Sequence, residues 1–318
     1  MSYLRDTIMN PVRTDIRSLS VEELVLFFEQ HGEKKFRAKQ VMEWIWKKSA
    51  SGFDQMSNLS VSTRELLSSH YKLETIRLAD EQTSSDRTIK CAFEVEPGKV
   101  VEGVLIPTAS RMTACISSQV GCSLSCAFCG TGRLKMLRNL TAGEIYDQVV
   151  FLKRMAEERY NIPLSNIVYM GMGEPLLNYK QVLRSIDRIT AVDGMAMSPR
   201  RITVSTAGVS KGIRQLGEDG VRFKLALSLH AANDRKRNEI MPINDSNNIQ
   251  SLVAALNDFY KQTGNEITFE YILFRDFNDS LADADELIKL YRQVPADLVN
   301  LIEYNPIDQA KFQKPKEE

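Results

Sequence analysis

The sequence predicts an α/β protein built on a partial (βα)6 barrel, with an N-terminal helical accessory domain and a short β-hairpin adapter before it. Three observations predict this fold. Residues 1–75 show only helical periodicity, residues 89–106 alternate with a period of two, and from residue 111 six strand-like segments alternate with five helix-like segments. Such alternation is typical of a parallel barrel. We therefore divide the chain into a helical domain (1–75), a hairpin adapter (76–110) and a barrel (111–318).

The helical domain shows clear helix-start signals. Its two predicted capping boxes are Ser20 with Glu23 and Ser62 with Glu65. Between them, the segment 36–48 is expected to be a helix with its apolar side chains on one face. We interpret Trp44 and Trp46 as packing residues, because stacking on a nucleic-acid base would require exposed rings.

The hairpin adapter is predicted from two alternating segments, 89–96 and 99–106, joined at a Pro97-Gly98 turn. Cys91 falls on the inward face and is interpreted as a small core residue. Glu102 is the exception, because it places a carboxylate in an otherwise apolar strand. Alternation could turn Glu102 to solvent or aim it at a functional site, and the residues alone favour neither.

The barrel is predicted from apolar segments of strand length, each followed by a helical segment except the last. The expected strands are 112–118, 166–170, 201–205, 223–229, 267–274 and 299–304. The expected helices lie near 141–158, up to 189, from 210, at 249–262 and at 281–292. Loops at the carboxyl ends of parallel barrel strands form the active site of such folds, so the residues that follow these strands are the candidates for function.

Glycine and polar residues follow several of these strands. They are Gly171-Met172-Gly173-Glu174-Pro175, Ser205-Thr206-Ala207-Gly208, Ser228-Leu229-His230 and Asn305. Glycine lets a ligand approach the backbone, and Glu174 could hold a cationic group such as an amino-acid ammonium. The same segment could be a helix-entry turn with Pro175 at the first helical position, but its place on the rim favours a ligand site. His230, taken alone, is interpreted as a hydrogen-bonded rim histidine and not as a metal ligand.

Three of the five cysteines follow the first barrel strand. Cys122, Cys126 and Cys129 have the spacing C-x3-C-x2-C. A closed structural zinc site usually has four ligands. A [4Fe–4S] cluster has four irons, so three thiolates leave one iron open for a substrate or cofactor. We therefore predict an iron–sulfur cluster; the alternatives are a buried structural thiol cluster and a zinc knuckle completed by a distant histidine.

Composition limits the class of protein. A chain of 318 residues with 43% hydrophobic and 26% charged residues is typical of a globular protein of about two domains. Lys plus Arg and Asp plus Glu both count 41, which neither favours nor excludes a nucleic-acid partner. We interpret the short basic clusters as solvated faces. The absence of a signal-like segment, of a membrane-length apolar run and of a paired cysteine framework predicts a cytoplasmic protein that does not span a membrane.

The cysteine motif followed by GMGEP in a βα barrel resembles the radical S-adenosylmethionine superfamily. Within that superfamily, the chain is similar to the RlmN/Cfr family of RNA adenine methyl synthases, and more similar to its RlmN than to its Cfr members. The similar segments extend from about residue 20 to 306 and are FRAKQVMEWIW, VEGVLIP, ACISSQVGCSLSCAFCGTG, NIVYMGMGEPLLN, ITVSTAGV, LALSLHA and EYNP.

The resemblance implies methylation of carbon 2 of an adenine in 23S ribosomal RNA, and in some members also in transfer RNA. It implies a [4Fe–4S] cluster, S-adenosylmethionine, an electron donor such as flavodoxin, and a monomer. Because the aromatic carbon is not nucleophilic, a 5′-deoxyadenosyl radical abstracts hydrogen from a methyl group on a C-terminal cysteine, and the methylene radical adds to the base. A carboxylate then acts as base on the adduct, and a second cysteine releases the crosslink by forming a disulfide.

The family pattern assigns these roles to residues of this sequence. Cys122, Cys126 and Cys129 match the cluster ligands. Glu102 matches the proton acceptor, and Cys115 matches the resolving thiol, for which the alternative is a buried strand thiol. The positions that match S-adenosylmethionine-binding residues are Gly173, Glu174, Ser205, Ser228, Leu229, His230 and Asn305.

The sequence departs from the family pattern in one respect, because no cysteine follows Cys129. We expect these 318 residues to be a fragment, the alternative being a protein that cannot complete the reaction, and we expect them alone to bind a cluster and cleave S-adenosylmethionine without methylating RNA. The remaining alternatives are Cfr-type methylation of carbon 8 of the same adenine, another radical enzyme such as an activase, and a non-enzymatic RNA-binding protein with a structural metal.

Overall fold

The computed structural model describes residues 13–307 and 311–316, which form two compact units. One unit contains the described residues up to Thr75 together with Val192–Met195. The other contains Ile76–Ala191 and the described residues from Ala196 onward. Residues 1–12 of the predicted helical domain, and residues 308–310 and 317–318 of the predicted barrel, lie outside the described residues. No helix in the described part of the chain is long and apolar enough to cross a membrane.

The first unit is helical, as its periodicity predicts. Its elements are β1 (Thr14–Asp15), α1 (Val21–Gln30), α2 (Phe36–Met42), a π-helical continuation at Glu43–Lys47, α3 (Val61–His70) and β2 (Tyr71–Lys72). The capping box of Ser20 and Glu23 is confirmed at the start of α1. The second predicted box is wrong, because Ser60 caps α3 by accepting a hydrogen bond from the Thr63 N–H at 3.1 Å.

The two tryptophans of this unit differ in exposure. Trp46 is buried, as the packing interpretation predicts. Trp44 is only half-buried, and its ring N–H donates to Asn58 Oδ1 at 2.6 Å. The Lys48 ammonium lies 3.9 Å from the Trp44 ring centre, a cation–π contact. Trp44 is therefore held at the surface by polar contacts, while Trp46 belongs to the core.

The second unit is organised around a nine-stranded sheet with the order β13-β12-β11-β10-β9-β6-β5-β4-β3. Its strands are β3 (Arg77–Thr83), β4 (Ile89–Glu96), β5 (Lys99–Pro107), β6 (Met112–Cys115), β9 (Asn166–Tyr169), β10 (Ile202–Thr206), β11 (Lys224–Ser228), β12 (Ile267–Leu273) and β13 (Leu298–Glu303), while β7 (Gln119–Val120) and β8 (Arg138–Asn139) form a separate pair. The six strands predicted for the barrel run parallel, which confirms the fold class. β3, β4 and β5 extend the same sheet with antiparallel pairing.

Helices follow the parallel strands in the predicted alternation. They are α4 (Ala142–Tyr160), α5 (Tyr179–Thr190), α6 (Ser210–Glu218), α7 (Asp234–Ile240), α8 (Ile249–Thr263) and α9 (Leu281–Tyr291). The short helix α7 was not predicted. The two longest helices start at side-chain caps, with Thr141 accepting from Glu144 N–H and Asn248 accepting from Ser251 N–H.

The two faces of the parallel sheet have different chemistry. On one face, register neighbours such as Ile167 with Ile202 and Leu225 with Ile267 are fully buried. Burying each such side chain stabilises the fold by about 1.5–3 kcal/mol. The opposite face, which we call the concave face, carries the polar strand residues, and it is where a site can form.

Candidate active site

A cleft of about 270 Å³ opens at the carboxyl ends of the parallel strands. Its lining includes eight of the twelve residues predicted for the site: Cys122, Cys126, Cys129, Gly173, Glu174, Ser205, Ser228 and His230. These residues come from the carboxyl ends of parallel strands and from the loops that follow them, so the βα connections converge as the barrel pattern predicts.

The loop that carries the three cysteines is held by its own backbone and by α7. The Cys129 N–H donates to Cys126 O at 3.2 Å, and the Ala127 N–H donates to Ile240 O at 2.9 Å. Gly121, directly before the first cysteine, has φ +79°, and a Cβ there would overlap the backbone of Lys135. Glycine is therefore required for the chain to enter this loop.

The donor set of three thiols fits a [4Fe–4S] cluster that leaves one iron open. Burial raises the pKa of Cys126 to about 12 and also raises the pKa of Cys122, so both thiols are protonated without a metal and must give up their protons to bind one. Among the described residues, no three His, Cys, Asp or Glu side chains converge closely enough to hold one metal ion. The three thiols of a [4Fe–4S] site bind separate irons and stand farther apart.

Glu174 is the most enclosed carboxylate of the cleft. It is 3% exposed, and burial raises its pKa. Its Oε1 accepts from Leu176 N–H at 3.0 Å and its Oε2 from Ala207 N–H at 2.7 Å. Glu174 thus caps the short helix Pro175–Asn178, so the helix-entry interpretation and the cleft position both hold. A buried carboxylate that is fixed in this way can receive a cationic ligand group.

Gly173 lets Glu174 reach this position. Its φ is +94°, and a Cβ would overlap the side chain of Gln119. The buried Gln119 in turn accepts a hydrogen bond from the Glu174 N–H at 2.8 Å. Gln119 was not among the predicted site residues, and no feature of its sequence neighbourhood distinguished it.

Hydroxyl and imidazole groups also line the cleft. The Ser205 and Ser228 hydroxyls lie 3.2 Å apart. His230 is buried against the Phe128 ring, with ring centres 4.7 Å apart. Burial lowers the pKa of His230 to about 3, and its Nδ1 accepts from the Ile272 N–H at 3.1 Å. His230 is therefore neutral with its proton on Nε2, which confirms the hydrogen-bonded rim histidine.

Two residues predicted to bind S-adenosylmethionine do not line the cleft. Leu229 is buried, and its backbone carbonyl accepts from Arg237 Nε at 3.2 Å. Asn305 follows β13 and is exposed. The structure therefore brings neither side chain to the wall formed by Ser205 and Ser228.

Glu102 and Cys115 also lie outside the cleft lining. Sheet register places both on the concave face, because Cys115 pairs with Val104 and Glu102 lies two residues from Val104. The Glu102 side chain is 47% exposed and pairs with the Lys90 ammonium at 2.5 Å. Burial raises the pKa of the free Cys115 thiol to about 11. Cys91, by contrast, is fully buried, as predicted for a core residue.

Glu270 lines the cleft and was missed at the sequence level. It is buried on the concave face, where its Oε1 accepts from Asn300 Nδ2 at 2.9 Å and from the Thr268 hydroxyl at 3.2 Å. Register pairs Glu270 with Ser228. The signal was a lone charge within the apolar run ITFEYIL, similar to the exception noted at Glu102.

Both parts of the chain match known protein families. Residues 14–73 match the model described as ribosomal RNA large subunit methyltransferase N-terminal domain, and residues 116–290 match the radical SAM superfamily model. A crystal structure of a radical SAM methyltransferase from Sphaerobacter thermophilus is 38% identical with a TM-score of 0.88, over 95% of this chain and 89% of that one. Fold and site thus define a radical S-adenosylmethionine methyltransferase.

Curated relatives give the family. A probable dual-specificity RNA methyltransferase RlmN from Cytophaga hutchinsonii is 55% identical over 93% of this chain and 81% of its own. A dual-specificity RNA methyltransferase RlmN from Nitratidesulfovibrio vulgaris is 42% identical over 96% of this chain and 85% of its own. The chain belongs to the RlmN family of dual-specificity RNA methyltransferases. The predicted membership, enzyme class and use of a [4Fe–4S] cluster with S-adenosylmethionine are confirmed.

Proposed function

We propose that this RNA methyltransferase methylates carbon 2 of an adenine in 23S ribosomal RNA and also in transfer RNA. The observation that carries the proposal is the convergence of three thiols, a buried carboxylate and a hydroxyl pair in one cleft on the concave face. The printed name of the relatives, dual-specificity RNA methyltransferase, supports two kinds of RNA substrate. Carbon 2 follows from the resemblance to RlmN members.

In this proposal, Cys122, Cys126 and Cys129 would hold the cluster, which would supply the electron for reductive cleavage of S-adenosylmethionine. Glu174 accepts hydrogen bonds from the ammonium of that cofactor, since its two oxygens are already oriented by backbone N–H groups. The remaining contacts are assigned to Gly173, Ser205, Ser228, Leu229, His230 and Asn305. Leu229 and Asn305 would take part through their backbone or after a local movement, because their side chains do not line the cleft.

Glu102 is proposed as the proton acceptor and Cys115 as the resolving thiol that forms a transient disulfide. Their common place on the concave face supports this pairing. A half-exposed carboxylate beside Lys90 is reachable by a large substrate such as RNA. The half-buried Cys115 thiol, whose pKa is raised, must lose its proton before it can attack, so a base is needed near it.

The proposal extends to the parts of the chain and to its partners. Residues 1–75 serve as the helical accessory domain, 76–110 as the adapter and 111–318 as the catalytic barrel. A flavodoxin-type protein delivers the electron, the enzyme works as a monomer, and the reaction takes place in the cytoplasm, where both RNA substrates occur.

The test uses protein expressed from the complete gene, reconstituted without oxygen and incubated with 23S ribosomal RNA or transfer RNA. Mass spectrometry of the digested nucleosides is expected to show 2-methyladenosine from both RNAs. Cys122→Ala should abolish methylation and cofactor cleavage, whereas Glu102→Gln should abolish methylation only. Appearance of 8-methyladenosine would overturn the assignment of carbon 2, and cofactor cleavage without any methylated adenine would overturn the substrate class.

A further inference from the structure

Arg237, on the unpredicted helix α7, is a fully buried cation at the back of the cleft. Its Nη2 donates to Ala207 O at 2.6 Å and to Ser228 O at 3.3 Å. Nε donates to Leu229 O, and Nη1 donates to Asn244 Oδ1 at 2.6 Å. All four acceptors are neutral oxygens, and three of them are backbone carbonyls at or just after the ends of β10 and β11.

The guanidinium has no ion-pair partner within 4.0 Å in the described part of the chain. Asp234, the nearest acidic group on the same helix, is exposed and bonded to Asn244 and to Ile249 N–H. Burying an unpaired charge is costly, and burial lowers the pKa of Arg237 to about 10. A neutral side chain could donate hydrogen bonds to the same oxygens. The buried positive charge is therefore explained only if a negative group lies nearby.

Two connections place Arg237 beside the cleft and the cysteine loop. The helix α7, which carries Arg237, is tied to the cysteine loop by the hydrogen bond from the Ala127 N–H to Ile240 O at 2.9 Å, and Cys126 packs against the buried cluster that contains Ile240. On the rim, the Ala207 peptide lies between two charges, because its N–H donates to Glu174 Oε2 and its carbonyl accepts from Arg237. Arg237 therefore contacts the cleft wall at Ala207 and lies on the helix that holds the cysteine loop.

We propose that Arg237 is a positioning residue whose buried charge offsets the negative charge of the cluster held by Cys122, Cys126 and Cys129, and so raises the cluster's reduction potential. Three thiolates leave that cluster negative, and one more electron makes it more so. Net charge, solvent exposure and hydrogen bonding set the potential of such clusters. A charge inside the protein acts more strongly than one in solvent, because the local dielectric constant is lower.

The test is a redox titration of the reconstituted holoenzyme, followed by electron paramagnetic resonance of the reduced cluster. In Arg237→Gln, the ratio of reduced to oxidised cluster at the wild-type midpoint is expected to fall about tenfold, which corresponds to about 59 mV for one electron. Arg237→Lys, which keeps the charge but loses the planar hydrogen-bonding geometry, should stay near the wild-type potential. Arg235→Gln is the matched control, because Arg235 lies on the same helix with its side chain 77% exposed.

This inference rests on the proposed cluster site. Measuring the iron and sulfide content of each protein shows whether the cluster is bound, and so distinguishes a failure of the cluster site from a failure of the role of Arg237. If the wild-type protein binds no cluster, the assignment of the three cysteines fails. If Arg237→Gln binds a full cluster at the wild-type potential, or if Arg237→Lys shifts the potential as much as Arg237→Gln, the role of the charge is overturned. If Arg237→Gln takes up no cluster, Asp234→Asn is used instead, because it removes a negative charge near Arg237. This variant should raise the reduction potential of the cluster, and an unchanged potential would contradict the proposal.

Discussion

Glu174 and Glu102 are glutamates in two regions of the second unit, and their surroundings differ. At the rim of the parallel strands, Glu174 is 3% exposed and oriented by two backbone N–H groups. In the antiparallel extension, the Glu102 side chain is 47% exposed and pairs with a lysine at the surface. The rim therefore provides a fixed, desolvated group for a small ligand, whereas the antiparallel strands provide a group open to a large one.

The largest expected difference between the two regions is in cofactor binding. Glu174→Gln should weaken S-adenosylmethionine binding about 100-fold, because losing one partner of a buried charged pair costs about 2–5 kcal/mol. Glu102→Gln should leave the affinity within about twofold, since exposed pairs contribute about 1 kcal/mol or less even to their own partners. Calorimetric titration of the cluster-bearing proteins measures both. Equal losses of affinity would show that the two carboxylates belong to one ligand pocket.

A second contrast compares a buried ion pair of the barrel with the exposed pair of Glu102 and Lys90. Lys236 donates to Asp283, and the side chains are 18% and 5% exposed. Asp283→Asn should lower the free energy of unfolding by about 3 kcal/mol, and Glu102→Gln by less than about 1 kcal/mol. Urea denaturation at neutral pH gives both values, with Asp285→Asn in the same helix as the control. A smaller loss for Asp283→Asn than for Glu102→Gln would refute the contrast.

The ion pair of Lys236 and Asp283 should also make the free energy of unfolding depend on pH. Burial alone would raise the pKa of Asp283, but hydrogen bonds from Lys236 and Ser280 outweigh it and hold the pKa below 3.8. The stabilisation is therefore complete above the unfolded pKa of about 3.8 and is lost as the pH falls through the lower folded value. Unfolding free energies measured between neutral pH and pH 3 should fall less steeply at the acid end in Asp283→Asn than in the wild type. Identical acid profiles would count against the interpretation.

The smallest expected difference is in the loss of stability when one glycine of each region is replaced by alanine. Gly173→Ala combines a positive φ with a clash against Gln119, whereas Gly98→Ala in the turn between β4 and β5 has a positive φ but nothing within 4 Å of its Cβ. We expect losses of about 2–3 kcal/mol and about 1 kcal/mol respectively. Thermal unfolding of the two variants measures the difference. A milder effect at Gly173 would mean that Gln119 can move aside.

Local signals predicted most of the fold. The apolar periodicity between residues 111 and 306 located all six parallel strands, and the Ser20 capping box located α1. The predictions of secondary structure were wrong or incomplete where local sequence signals compete or are weak. Ser60 and Ser62 are both acceptable caps before the same helix, and packing selected Ser60. β3 and α7 were missed because their polar residues show no clear period.

For the site, the sequence by itself determined which chemistry is present. The cysteine spacing, the glycine–carboxylate loop and the placement of polar residues after strands are local features, so they could be recognised without coordinates. Only the tertiary structure decided which of these side chains meet. It excluded the Leu229 and Asn305 side chains from the cleft, set Glu102 apart and added Glu270. It also buried Arg237 against carbonyls eight to thirty residues away. Burial, register and unpaired charge arise from contacts between distant segments, which no local pattern records.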